Sequence, residues 1–126
     1  MSFISRTQLI KAIIHGDVEE AASLISLSDQ IEIGDQCGMT PLMYAVFYGH
    51  HQFVSALLER GVSIDQTTRA GRTALMIAAI KGCIWCAETL VRSGANSLIT
   101  NERGETAASL ASRFSHTAIK EFLSSL

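Results

Sequence analysis

The stretch Gly38-Met39-Thr40-Pro41-Leu42-Met43-Tyr44-Ala45-Val46-Phe47-Tyr48-Gly49-His50 holds a helix start, a short apolar run and a helix stop. The Thr40 hydroxyl can cap free amide groups, and Pro41 supplies a fixed φ at the first helical position. Gly49, without a β-carbon, can take the left-handed turn that lets a second helix fold back. Shifted by 33 residues, the opening of this stretch returns as Gly71-Arg72-Thr73-Ala74-Leu75-Met76, and more weakly as Gly104-Glu105-Thr106-Ala107-Ala108-Ser109. The register holds downstream. Gly16, Gly49 and Gly82 share a column with Ser115 in the fourth place, and Gly61 and Gly94 share another. Ala12, Ala45, Ala78 and Ala111 align, as do Leu24, Leu57, Leu90 and Leu123.

Each repeat reads as a helical hairpin. An alanine column marks where two helices approach closely, since a larger side chain would overpack the contact. Phe53, Val54, Leu57 and Leu58 recur at spacings of three and four and give the second helix one buried face. Gly61 and Gly94 end that helix in the left-handed conformation, and a polar stretch, as from Asp65 to Arg72, leads to the next cap. Asp17 and Glu20 form a capping-box pattern in the first unit. The spacing therefore predicts one all-α domain over 1–126, built from units at about 5–34, 35–67, 68–100 and 101–126.

Composition bounds the function. A chain of 126 residues with 48% hydrophobic content suits a single globular domain with its own core. Net charge is −2 and only 17% of residues are charged, so no basic surplus invites nucleic acid or anionic lipid. No apolar run reaches the roughly 20 residues that span a bilayer. Three cysteines, Cys37, Cys83 and Cys86, in a chain without a cleavable signal pattern predict a reducing, intracellular setting, cytoplasmic or nuclear.

The stretch from Gly38 to His50 closely resembles the ankyrin-repeat consensus around its Thr-Pro-Leu-His core, and the resemblance extends over almost the whole chain. It implies a solenoid of stacked helix-turn-helix units joined by β-hairpin-like loops, a concave face that binds a protein partner, and no catalytic site or cofactor. Two departures stand out. The fourth motif position, usually histidine, is Met43 in one unit and Met76 in the next, and the motif degrades at both ends to Thr7-Gln8-Leu9-Ile10 and Thr106-Ala107-Ala108-Ser109. Those end units read as caps, with Ser109, Ser112, Arg113, Ser115 and Lys120 facing solvent. An adaptor or regulator, monomeric by itself, is the first functional reading. A structural scaffold or docking unit is the alternative, and an inhibitor of an enzyme such as a kinase a more distant one.

Within the resemblance, the contact positions fall on the hairpin tips and the exposed side of each first helix: Gln36, Cys37, Met39, Phe47 and Tyr48; Arg69, Ala70, Arg72, Ile80 and Lys81; Glu102, Arg103, Glu105, Arg113 and Phe114. Tyr44, Phe47 and Tyr48, with Met39, Ile77 and Ile80, make an apolar patch flanked by Arg69, Arg72 and Lys81, the residue types that dominate interface hot spots; the alternative reading packs Tyr44 and Phe47 between neighbouring helices as core. The expected partner site is thus Met39, Tyr44, Phe47, Tyr48, Arg69, Arg72, Ile80, Lys81, Arg103 and Phe114.

Cys83-Ile84-Trp85-Cys86 has the spacing of a metal knuckle or redox pair, yet it opens a predicted helix with no second pair and no βαβ setting. His50, Cys83 and His116 occupy one column, but stacked helices about 8–10 Å apart cannot place column mates around one ion. No metal site is expected. His51 and His15 read as surface or edge residues, His50 as capping or packing locally, and Trp85 as a second contact or a cover for the helix start. The C-terminal Leu123-Ser124-Ser125-Leu126 resembles a PDZ ligand, against the simpler reading of a fraying last helix.

Overall fold

The computed structural model describes residues 6–27 and 31–126; the expected start of the first unit at residue 5 lies outside them. Among the described residues eight helices follow in order: α1 (Arg6–His15), α2 (Val18–Leu27), α3 (Pro41–Phe47), α4 (His51–Glu59), α5 (Ala74–Lys81), α6 (Ile84–Arg92), α7 (Ala107–Arg113) and α8 (Thr117–Ser124). No strand occurs among the described residues.

The helices form where the capping chemistry starts them. Thr40, Thr73 and Thr106 are extended in φ and ψ, and each side-chain oxygen accepts the amide three residues on, from Met43, Met76 and Ser109. The Asp17 carboxylate accepts the Glu20 amide in the same way at 3.1 Å. Where the consensus histidine is missing, Met43 is buried and its thioether accepts the Thr40 amide at 3.5 Å. Glycines with φ of +68° to +79° close the first helices at Gly16, Gly49 and Gly82, and Ser115, at φ +63°, takes the same conformation in the fourth place. Among the described residues it is the one non-glycine at positive φ.

Pairs α1/α2, α3/α4, α5/α6 and α7/α8 are hairpins. The first helices pack in a row, α1 on α3 on α5 on α7, and the second helices in another, α2 on α4 on α6 on α8. The core runs between the rows. All four members of the alanine column and all four of the leucine column are buried in it, which is why those columns tolerate no other size. The polar set on the last unit, Ser109, Ser112, Arg113, Ser115 and Lys120, is exposed.

Loops between hairpins are short two-sided turns. Asp35 N–H donates to Met39 C=O, Thr68 N–H to Arg72 C=O, and Asn101 N–H to Glu105 C=O, one pairing per 33-residue step. The side chain at the same position locks each turn: Asp35 Oδ1 accepts the Cys37 and Met39 amides, Thr68 Oγ1 that of Arg72, and Asn101 Oδ1 those of Arg103 and Glu105. Successive turns are sewn together, Arg69 N–H to Cys37 C=O at 3.0 Å and Glu102 N–H to Ala70 C=O at 3.1 Å. The turns therefore form a continuous strip beside the row of first helices.

Candidate functional site

Between the second and third hairpins this strip opens into a groove of about 370 Å³. Met39 and Cys37 come from one turn, Thr68, Arg69, Ala70 and Arg72 from the next, Phe47 from the end of α3, and Ile77, Ile80 and Lys81 from α5. The floor is fixed because Ile77 is buried in the core and Ile80 is half-buried against it. The Ile80 carbonyl, at the end of α5, meets His116 Nε2 at 3.0 Å. That contact holds the α5 terminus from the following unit. Phe47 remains 41% exposed at the wall, with Lys81 Nζ 4.4 Å from its ring centroid. Among the described residues no acidic side chain lines the groove, so Arg69, Arg72 and Lys81 make its rim cationic.

Of the ten expected contact residues, Met39, Phe47, Arg69, Arg72, Ile80 and Lys81 meet in this groove. Tyr44 and Tyr48 do not line it. Tyr44 is half-buried and its hydroxyl donates to Asp35, which lifts the phenol to about 12, with burial adding to the effect. Its ring belongs to the support of the turn. Tyr48 is exposed at the C-cap of α3, edge-on to Phe47 and stacked on His50. Arg103 lies one step along, in a groove of about 230 Å³ with Ala70, Arg72, Asn101, Glu102, Glu105 and Arg113. Phe114 is 41% exposed beneath the Arg113 guanidinium, 5.1 Å from its ring centroid. Arg72 lines both grooves.

The second groove is polar and self-paired. Arg113 binds Glu105 at 2.8 Å. The Asn101 side-chain amide, first, and the neighbouring arginines hold the Glu105 carboxyl below its ordinary range. Asp35, Thr68, Asn101 and His116 were not expected to matter, although the first three recur at the 33-residue period with side-chain oxygens suited to closing a turn.

On the second-helix row, the sulfurs of Cys83 and Cys86 are joined in a disulfide across Cα atoms 5.3 Å apart. Opening a helix outside any βαβ setting does not keep the two sulfurs apart, since that separation lies in the range a disulfide spans. His51 is exposed, as expected of a surface residue, but it has close neighbours. Its ring stacks on Trp85 at 4.1 Å, and its nitrogen lies within 4.8 Å of both sulfurs. Trp85 is half-buried against the core and covers the start of α4. His50 packs against Phe53 without capping α4. At the C-terminus, Leu123 is buried while Leu126 is 63% exposed.

The family model for ankyrin repeats, in three copies, matches residues 9–101. The chain belongs to the ankyrin-repeat family. Repeats of this kind generally serve as protein–protein interaction modules and are typically non-catalytic. No curated protein matches the chain. Among the described residues no helix is long and apolar enough to cross a membrane.

Proposed function

We propose that this chain is a non-catalytic adaptor or regulator that holds a protein partner in the groove between its second and third repeats, with α7 and α8 serving as a fourth, capping repeat. The observation that carries the reading is the pairing of an apolar lining from Met39, Phe47, Ile77 and Ile80 with a rim of Arg69, Arg72 and Lys81 and, among the described residues, no lining carboxylate. Such a groove suits a segment that inserts an apolar side chain and sets acidic groups beside it. Burial of the apolar part supplies affinity, and the rim charges set orientation and on-rate. A partner that is a cytoplasmic or nuclear protein, bound by a monomer of this chain without cofactor, nucleic acid or lipid, fits the absence of a basic surplus.

The test is quantitative partner capture by three proteins: wild type, Phe47→Ala/Arg72→Ala, and Arg103→Ala. The double variant is expected to weaken capture by about 2–4 kcal/mol, the scale of hot-spot residues, with Arg103→Ala close to wild type. Partners retained in full by the double variant, with its circular dichroism unchanged, would move the site elsewhere.

A further inference from the structure

The strongest unabsorbed feature lies away from the groove, where the first turns of α4 and α6 meet. His51 opens α4; Cys83 caps α6, and Cys86 follows one turn later. One imidazole nitrogen and two sulfurs, from adjacent repeats, all lie within 4.8 Å of one another. Column mates such as His50 and Cys83 are a full repeat apart, but His51 is offset by one residue, and that offset turns it toward the pair.

We propose that, with the Cys83–Cys86 bond reduced, His51, Cys83 and Cys86 bind one thiophilic divalent cation of the zinc type. Three physical features support it. Zn–S bonds of about 2.3 Å and Zn–N bonds of about 2.0–2.1 Å place the ligand atoms of one ion roughly 3.5–3.8 Å apart, which side-chain rotations would reach once the S–S bond is open. Both cysteines sit at the N-terminus of α6, where the Cys83 sulfur already accepts the Cys86 amide at 3.3 Å and the helix dipole suits a negatively charged ligand. Cys86 is buried and Trp85 stacks on the imidazole, so the cation would be shielded on two sides and open to water on the third.

The chemistry balances simply. A thiol or phosphine reductant supplies two electrons, the S–S bond breaks, and two protons from solvent give two thiols. Zinc then displaces those protons and forms two Zn–S bonds and one Zn–N bond to neutral imidazole, with water as the fourth ligand. The disulfide and the metal are mutually exclusive occupants of the same two sulfurs.

The full chain, reduced with a phosphine and then freed of reductant, should be titrated with Zn2+ against a chromophoric chelator, and with Co2+ to read thiolate charge-transfer absorption. One equivalent is expected in the reduced protein and none in the oxidised protein. His51→Gln, at an exposed position, should keep the fold and bind at least about tenfold more weakly, the lower end of losses seen when only outer-shell partners are removed. Cys83→Ser should lose most of the charge-transfer intensity. Failure of the reduced wild type to take up stoichiometric Zn2+ overturns the site, as does His51→Gln binding at wild-type affinity or a Cys83→Ser spectrum identical to wild type.

Discussion

Two consecutive grooves, one 33-residue step apart, are built on the same backbone and lined by opposite chemistry. In the first, Met39 and Phe47 face Ile77, Ile80 and a cationic rim; in the second, Arg72, one step on from Met39, lines the groove with Glu105 and Arg113, the residues one step on from Arg72 and Ile80. The first leaves apolar surface and unopposed charge. The second satisfies itself, since Arg113 binds Glu105 and Asn101 donates to the same carboxylate. The repeat thus fixes where a contact position lies, and the side chain alone decides whether it is available. A surface arginine already engaged by a neighbouring carboxylate has less to offer a partner than Arg69 or Lys81.

The turns of the two grooves differ only at the end of the array, since Gly71, one step on from Gly38, would also set a β-carbon 3.1 Å from backbone, at Asn101 Cα. Gly38, at φ +84°, lies under the first; a β-carbon there would come within 3.0 Å of Thr68 Cα, on backbone that cannot rotate aside. Gly104, at φ +76°, would meet nothing within 4 Å. Gly38→Ala should therefore cost about 2–4 kcal/mol, combining left-handed strain with overpacking, and Gly104→Ala only about 1 kcal/mol from strain. Thermal melts showing equal losses would mean that the turns do not stack as described.

A smaller effect is expected beside the second groove. Ser115 bears the left-handed conformation that its column otherwise assigns to glycine. Ser115→Gly should stabilise by about 0.5–1 kcal/mol, strain relief being partly offset by the greater freedom of glycine in the unfolded chain. A lower melting temperature would show that the serine makes a contact that outweighs its strain.

The smallest effect is the pH response of that groove. Glu105 has its folded value lowered from an ordinary 4.5 by the Asn101 hydrogen bond and by Arg113 and Arg103. Its interactions are present above the ordinary range and are lost as pH falls through the lowered folded value, so acid should loosen the third turn, from Asn101 to Glu105, while leaving the first groove unaffected. An NMR titration following the amides of Arg103 and Glu105 should show this, and Glu105→Gln should abolish the acid response. Shifts of equal size at Met39 and Phe47 would mean that the two grooves are not independent.

How much of this was legible in the sequence depends on whether a feature follows the period. The caps at Thr40, Thr73 and Thr106, the buried alanines and leucines, and the left-handed glycines recur at 33 residues, and each sits where the pattern places it. The groove was legible in six of its residues because loop and first-helix positions are also periodic. Tyr44 and Tyr48 were grouped with Phe47 by composition, yet successive helical residues point about 100° apart. Tyr44 turns to Asp35 and Tyr48 to His50, leaving Phe47 alone on the groove wall. His51 escaped for the converse reason, since its approach to Cys83 and Cys86 joins residues from different columns, which no column comparison reveals.

The central claim is that the groove between the second and third repeats takes an apolar side chain flanked by acidic groups. Selection of a random peptide library on the immobilised protein tests it most directly, because no partner need be known beforehand. The account predicts enrichment of Leu, Ile, Met or Phe next to Asp or Glu, with binding lost in Phe47→Ala/Arg72→Ala and retained in Arg103→Ala. Enriched peptides that are basic or uniformly polar, or that bind the double variant as tightly as wild type, would contradict it.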